Sequence, residues 1–228
     1  MLENPRFGLK DIIIVYLGIL GVSILAAMLP IQGMSEKEYY LYVYLFQFAA
    51  TMLFVYLFAV LFPRGNWRDL GLRKARLKDI WWYGIVGGTL LIIMVLLMGL
   101  VIEYFQPDLA PQQIEEMLRS VKGLSEFTII VLAAVVLAPL SEELFYRGMI
   151  YPLFRKHLGP GGGALLAGLV FGLAHWDLWR AIPLAIGGVA LCWIYEKSGS
   201  ILVPIVAHGV WNGFMCLIIY FSIFKGII

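Results

Sequence analysis

Charge is scarce in this sequence. Asp, Glu, Lys and Arg make up 14% of its 228 residues, against 61% apolar. A soluble domain of this length carries about a quarter charged residues to cover its surface, so an ordinary water-soluble globule is excluded, and no nucleic-acid partner is expected. Cysteine is scarce too. Cys192 and Cys216 both lie inside apolar blocks at a spacing that fits no metal motif, and read as small buried hydrophobes. The internal repeat expected of many transporters is missing, and so is a His-Glu-x-x-His helix motif. The first apolar block, from near Asp11, lacks a small-residue cleavage site, which favours a retained helix over a cleaved signal.

What is present is a series of apolar blocks, each near the ~20 residues a helix needs to cross a bilayer. They predict an all-α, polytopic transmembrane helical bundle. Seven segments are read, at 11–31, 38–63, 79–104, 124–157, 162–177, 179–197 and 201–225. Breakers separate them at Pro30 to Gly33, Pro63 to Gly65, Pro107 to Pro111, Gly159 to Gly163 and Ser198 to Ser200. The fourth segment reads as one long helix bent at Pro139; two shorter helices there would raise the count to eight. Residues 112–120 read as a short surface helix. The expectation is one membrane domain over 1–228, with 1–110 bearing little signature and 125–225 carrying the chemistry. The Gly84/Gly88 and Gly168/Gly172 pairs, each four apart, predict close helix packing.

The basic loop 64–78 contains Arg64, Arg68, Arg73, Lys74, Arg76 and Lys78. The positive-inside rule places it, and with it the N-terminus, in the cytoplasm. Seven crossings then put the C-terminus outside, whereas an eighth helix would reverse the C-terminal part. A multi-pass protein of a prokaryotic plasma membrane, with lipid as its immediate partner, is expected. Oligomeric state is not legible.

Ionisable groups within membrane segments cost about 2.5–3.5 kcal/mol each on insertion scales and are functional candidates by default. Here they fall in the last four segments. Glu143 and Arg147 are four apart, acid before base, and read as a structural ion pair. Glu142 points about a third of a turn away and is left free to face a cavity, where apolar surroundings suit a carboxylate to general-base work. Taken alone, the doublet reads better as a helix end meeting water. His175 lies in the short fifth segment, while His208 and Asn212, four apart, share a face of the last. Glu142 lies 15 residues before His157, His175 14 after Gly161, and His208 and Asn212 8 and 12 after Ser200. At the helical rise these are depths of about 22, 21, 12 and 18 Å, so three segments bring polar groups to nearly one level.

Glu142-Glu143-x-x-x-Arg147, Phe171-x-x-x-His175 and His208-x-x-x-Asn212, in that order, resemble the three motifs of the CPBP family. These are the CAAX-protease and bacteriocin-processing (Abi) membrane endopeptidases, related to the type II CAAX prenyl endopeptidases. The motifs span roughly 125–225, and the Asp69-Leu70-Gly71-Leu72 run is also similar to members. The resemblance implies an intramembrane protease acting in CAAX-box protein processing or on a leader peptide. Its substrate would be a peptide or lipidated protein, with Glu142 and His175 activating water and His208 and Asn212 holding the oxyanion. A zinc version would use Glu142, His175 and His208 as ligands; the glutamate version, with no metal, is preferred because Asn212 is a poor zinc ligand and Glu143 is already paired. An idle scaffold or bacteriocin-immunity protein on the same fold is the alternative, and a small transporter with a proton relay a more remote one. Ser141, Cys192 and Cys216 fit a nucleophile's role less well.

Overall fold

The fold was analysed in a computed structural model that describes residues 5–29, 32–121 and 123–225. Among them no strand occurs. Helix α1 is Leu9–Met28, and α2 is Glu36–Val55, running on as a π-turn over Tyr56–Leu61. Helix α3 is Leu77–Phe105, and the short α4 is Gln113–Arg119. A continuous helical stretch then runs Leu124–Leu173. It breaks at Gly159, whose φ of 70° lies in the left-handed region that glycine tolerates, with Pro160 directly after. The stretch is therefore two rods, α5 (124–158) and α6 (160–173). Helices α7 (Leu178–Ser198) and α8 (Leu202–Lys225) complete the chain.

Among the described residues, six helical stretches are long and apolar enough to cross a membrane, the one broken at Gly159 being counted once. The seven segments expected from the sequence thus correspond to seven rods in a polytopic helical bundle. Helix α5 stays continuous through Pro139, so the eight-helix alternative is not borne out. The fifth segment is shorter than 162–177 implied: α6 ends at Leu173, and Ala174 to Trp176 form a turn. The first breaker falls partly at Pro30 and Ile31, outside the described residues.

The bundle is apolar on its outside. Only 17% of the α1 and α3 hydrophobic windows is buried, and 39% of those of α7 and α8. Leu90, Leu97, Leu100, Leu165 and Ile182 all point outward. In water this surface would be ruinous; in a bilayer it contacts lipid, and this is an integral membrane protein. Loop contacts sort the ends into two groups. At one end Arg6 donates to the Arg64 carbonyl, Ser200 to that of Arg73, and Arg155 pairs with Glu196. At the other, Arg180 donates to the carbonyl of Ala110. The basic loop, the N-terminal segment and the α7–α8 turn therefore share one end.

The helices that carry the polar motifs pack tightly because small residues let their backbones meet. A Cβ added to Gly172 would lie 2.3 Å from the Ala181 carbonyl oxygen, and one on Gly168 2.6 Å from that of Ala185, so α6 seats directly on α7. The same holds for Gly88 against the Ala207 carbonyl, where α3 meets α8. Replacing Gly172 by Ala is expected to cost about 1–3 kcal/mol through overpacking, read as a lower thermal midpoint in detergent. Gly21→Ala, with nothing within 4 Å of the new methyl, is expected to leave the midpoint unchanged or slightly higher.

Candidate active site

Helix α5 departs from α geometry twice, with π-turns at Ala133–Leu137 and Tyr146–Ile150 flanking a regular stretch, Ala138–Phe145. Single π-turns inside α-helices commonly mark functional sites. The regular stretch between them carries the carboxylate doublet. Consecutive residues on a helix point about 100° apart, and the two acids meet different surroundings. Glu143 is fully buried, while the Glu142 side chain keeps 31% of its surface exposed.

Glu143 is the centre of a buried network. Its Oε1 accepts from Arg147 Nη1 at 2.8 Å and lies 2.8 Å from His208 Nδ1. Arg147, also fully buried, donates from Nη2 to the Gly188 carbonyl of α7 at 3.1 Å, and its guanidinium lies 4.6 Å from the Phe171 ring centre. Helices α5, α6, α7 and α8 thus meet in one polar cluster. The Glu143–Arg147 pair read from the spacing is present.

The hydrogen bonds fix the tautomer expected of each histidine. A carboxylate can only accept, so the His208 Nδ1 beside Glu143 carries the proton and Nε2 points the other way, 3.9 Å from Glu142 Oε2. That separation is too long for a direct hydrogen bond and suits two groups that share a third atom. His175 Nδ1 lies 2.9 Å from the Phe171 carbonyl, also a pure acceptor, so its Nε2 is left as the basic nitrogen. Both imidazoles meet the Phe171 ring near edge-on, His175 at 5.0 Å and His208 at 5.8 Å between centroids.

His175 is not mid-helix. It is exposed and sits in the turn after α6. The turn is held from both sides: Trp176 takes φ 56°, a left-handed conformation costly for a bulky residue, and Asp177 caps α7 by accepting from the Arg180 backbone N–H and its guanidinium. Burial pushes the Asp177 carboxyl up, but these Arg180 hydrogen bonds outweigh it and hold it below the ordinary value. The contribution of this cap to stability is therefore present above the ordinary Asp range and lost as pH falls through the lowered folded value.

Asn212 donates from Nδ2 to the Ala134 carbonyl oxygen at 2.8 Å. Glu142 and His208 face each other, His175 joins them through the Phe171 ring, and Asn212 reaches the π-turn one helical stretch before Glu142. Ser141 donates its hydroxyl back to the Leu137 and Ala138 carbonyls, which occupies it within its own helix. Cys192 and Cys216 are buried, as read from the sequence. The sequence reading missed Tyr44 of α2, whose hydroxyl donates to the Ala133 carbonyl at 3.1 Å, and the Asp177–Arg180 cap. An Asp three residues before an Arg at a helix start was a legible cap signal; nothing in the α2 sequence singles out Tyr44.

A zinc ion on Glu142, His175 and His208 would find each ring's Nδ1 engaged and its Nε2 outward, and a carboxylate behind His208, as ligating histidines often have. Yet among the described residues no three His, Cys, Asp or Glu side chains come together as a metal-holding group. This arrangement does not fit the ion, and no step is derived through one.

Residues 124–214 match the family described as type II CAAX prenyl endopeptidase Rce1-like. That segment contains Glu142, Glu143, Arg147, Phe171, His175, His208 and Asn212, so the resemblance drawn from the three motifs is borne out there. Two proteins of Bacillus subtilis are similar. One, YdiL, carries a provisional description as a membrane peptidase; it is 24% identical over 89 residues, covering 39% of this chain and 36% of YdiL. The other, YyaK, is uncharacterized; it is 28% identical over 166 residues, 68% of this chain and 48% of YyaK. The chain thus spans less than half the length of these relatives. No solved structure matches it.

A buried pair broken on one side leaves an uncompensated charge. Arg147→Met is therefore expected to cost about 3–5 kcal/mol of stability. The same change at Arg119, whose pair with Glu115 is half-exposed, is expected to cost under about 1 kcal/mol. Unfolding of both variants in detergent, followed by cysteine accessibility at Cys192, checks the contrast.

Proposed function

We propose that the protein is an intramembrane endopeptidase that hydrolyses a peptide bond in a membrane-associated protein, a CAAX-type lipidated protein or a leader peptide, with a water activated by Glu142 and His175. The observation that carries this reading is the facing pair of Glu142 Oε2 and His208 Nε2, 3.9 Å apart. The pair is held at the edge of a cluster otherwise fully buried, inside the segment that matches a CAAX-type protease family.

In this reading Glu142, the more exposed acid, accepts a proton from the water while the free Nε2 of His175 orients it. The resulting hydroxide adds to the scissile carbonyl carbon, and negative charge moves to the carbonyl oxygen. Donors aimed at that oxygen contribute about 3–4 kcal/mol each when preorganised. His208 can offer Nε2–H when both its nitrogens carry protons, and Asn212 the amide hydrogen not given to Ala134. Collapse breaks the C–N bond, and the proton held by Glu142 passes to the leaving amine. Glu143 and Arg147 touch no substrate; they fix the ring of His208. No metal enters this scheme. The basic loop 64–78 and the N-terminus are cytoplasmic in this reading, by the positive-inside rule.

The test compares cells of a host lacking the protein that carry either the wild-type chain or Glu142→Gln, and looks in the membrane proteome for a precursor that accumulates. Purified Glu142→Gln and His175→Ala are expected to cleave that precursor about 10²–10⁴-fold more slowly while remaining folded. Wild-type cleavage is expected to survive exhaustive chelation. Wild-type rates in Glu142→Gln would sink the role given to Glu142, no accumulated precursor and no cleavage by the wild type would leave an idle scaffold in its place, and loss of activity on chelation would sink the metal-free scheme.

A further inference from the structure

The first π-turn of α5 has a carbonyl that its own helix does not serve. The Ala138 N–H bonds to the Ala133 carbonyl, five residues back. In the same register the next donor, for the Ala134 carbonyl, would be the N–H of residue 139. Residue 139 is proline and has none. In a bilayer no water stands ready to replace it, and a bare carbonyl there is costly. Asn212 Nδ2 of α8 supplies the missing hydrogen at 2.8 Å. One residue earlier, the Tyr44 hydroxyl of α2 adds to the Ala133 carbonyl at 3.1 Å, although that oxygen already has the Ala138 N–H. Gly209, one turn before Asn212 on α8, leaves room for this approach: a Cβ there would lie 2.7 Å from the Val135 carbonyl oxygen. Pro139 lies three residues before Glu142, where the π-turn joins the regular stretch Ala138–Phe145, so whatever holds that turn sets where Glu142 points.

From this geometry we propose that Asn212 is a positioning residue, standing in for the backbone donor that Pro139 removes and so holding the turn that aims Glu142, with Tyr44 as a lesser second clamp. This rests on the peptidase reading for the part that concerns Glu142, and gives Asn212 a duty separate from holding an oxyanion. One amide hydrogen is committed to Ala134; the second remains for substrate.

The test is a double-mutant cycle between Asn212→Leu and Pro139→Ala, with the thermal midpoint in detergent and kcat and KM on the cleaved precursor as readouts. In the wild-type background Asn212→Leu is expected to lower the midpoint by about 3–8 °C and kcat by on the order of 10²-fold, with KM little changed. Pro139→Ala restores an N–H able to serve Ala134, so in that background the midpoint loss should fall below half and the kcat loss shrink at least tenfold. Equal midpoint losses in both backgrounds would overturn the proposal. So would a midpoint that couples while kcat falls by the same factor in both, because the clamp would then not aim Glu142 and the loss of rate would come from contact with substrate. Should Pro139→Ala fail to fold, Tyr44→Phe decides: the Ala133 carbonyl keeps its backbone donor, so its midpoint loss should be under half that of Asn212→Leu, and an equal or larger loss overturns the account. If the wild-type protein cleaves nothing, the peptidase reading fails by itself, while the midpoint arm still decides the carbonyl clamp.

Discussion

One fully buried carboxylate ties together ionisable side chains of two helices in the centre of this protein. Glu143 takes hydrogen bonds at a single oxygen from Arg147 of its own helix and from His208 of α8. In an aqueous domain such a cluster could lean on solvent. Within an apolar bundle a charge needs a partner in another side chain or a backbone carbonyl, and the Gly188 carbonyl of α7 takes Nη2 of Arg147, while Arg147 Nε and Glu143 Oε2 stay buried without a hydrogen bond. The cost of desolvating these groups is offset only while all of them stay in register. The cluster therefore acts as a geometric lock: α5, α7 and α8 cannot slide past one another without stranding a charge. The Phe171 ring, between Arg147 and both imidazoles, brings α6 under the same constraint.

That lock explains how two adjacent acids come to have different surroundings. A regular helical stretch turns Glu143 into the cluster, and the same turn leaves Glu142 at its edge, facing His208 across a gap that a third atom can bridge. The glycine contacts serve the same end. Because α6 rests on α7 through Gly168 and Gly172 with no side chain between, the turn that carries His175 emerges close to the cluster despite the shortness of α6.

Much of this was legible beforehand, and for local reasons. Apolar runs report helices because a bilayer allows few alternatives, so the seven rods and the break near Gly159 followed from composition and from glycine with proline. The Glu143–Arg147 pair followed from an interval of four. What could not be read are contacts between helices. The spacing of His208 and Asn212 puts them on one face but does not say that one reaches a carboxylate and the other a carbonyl. The end of α6 was misjudged because a tryptophan, and not a glycine, takes the left-handed position after His175; its side chain gives no local signal for that conformation. Tyr44 lay beyond reach for the same reason as the rest of α2, where every residue looks like lipid-facing or core filler until the neighbouring helix is in place.

The proline in α5 illustrates how such a protein can shape a helix without water. A proline removes a donor, and in a soluble protein the freed carbonyl turns to solvent. Here the freed oxygen points at α8, and the residue that meets it, Asn212, is one that the motifs had already marked for chemistry. An uncharged amide has two donor hydrogens, where a neutral histidine or a serine in its place would offer one. A position that serves a backbone carbonyl short of a donor and, as proposed above, keeps a second hydrogen for substrate therefore calls for an amide side chain. On that account the spacing of His208 and Asn212 matches the two groups they meet on α5: His208 reaches the Glu143 carboxylate after Pro139, and Asn212, one turn on, the Ala134 carbonyl before it.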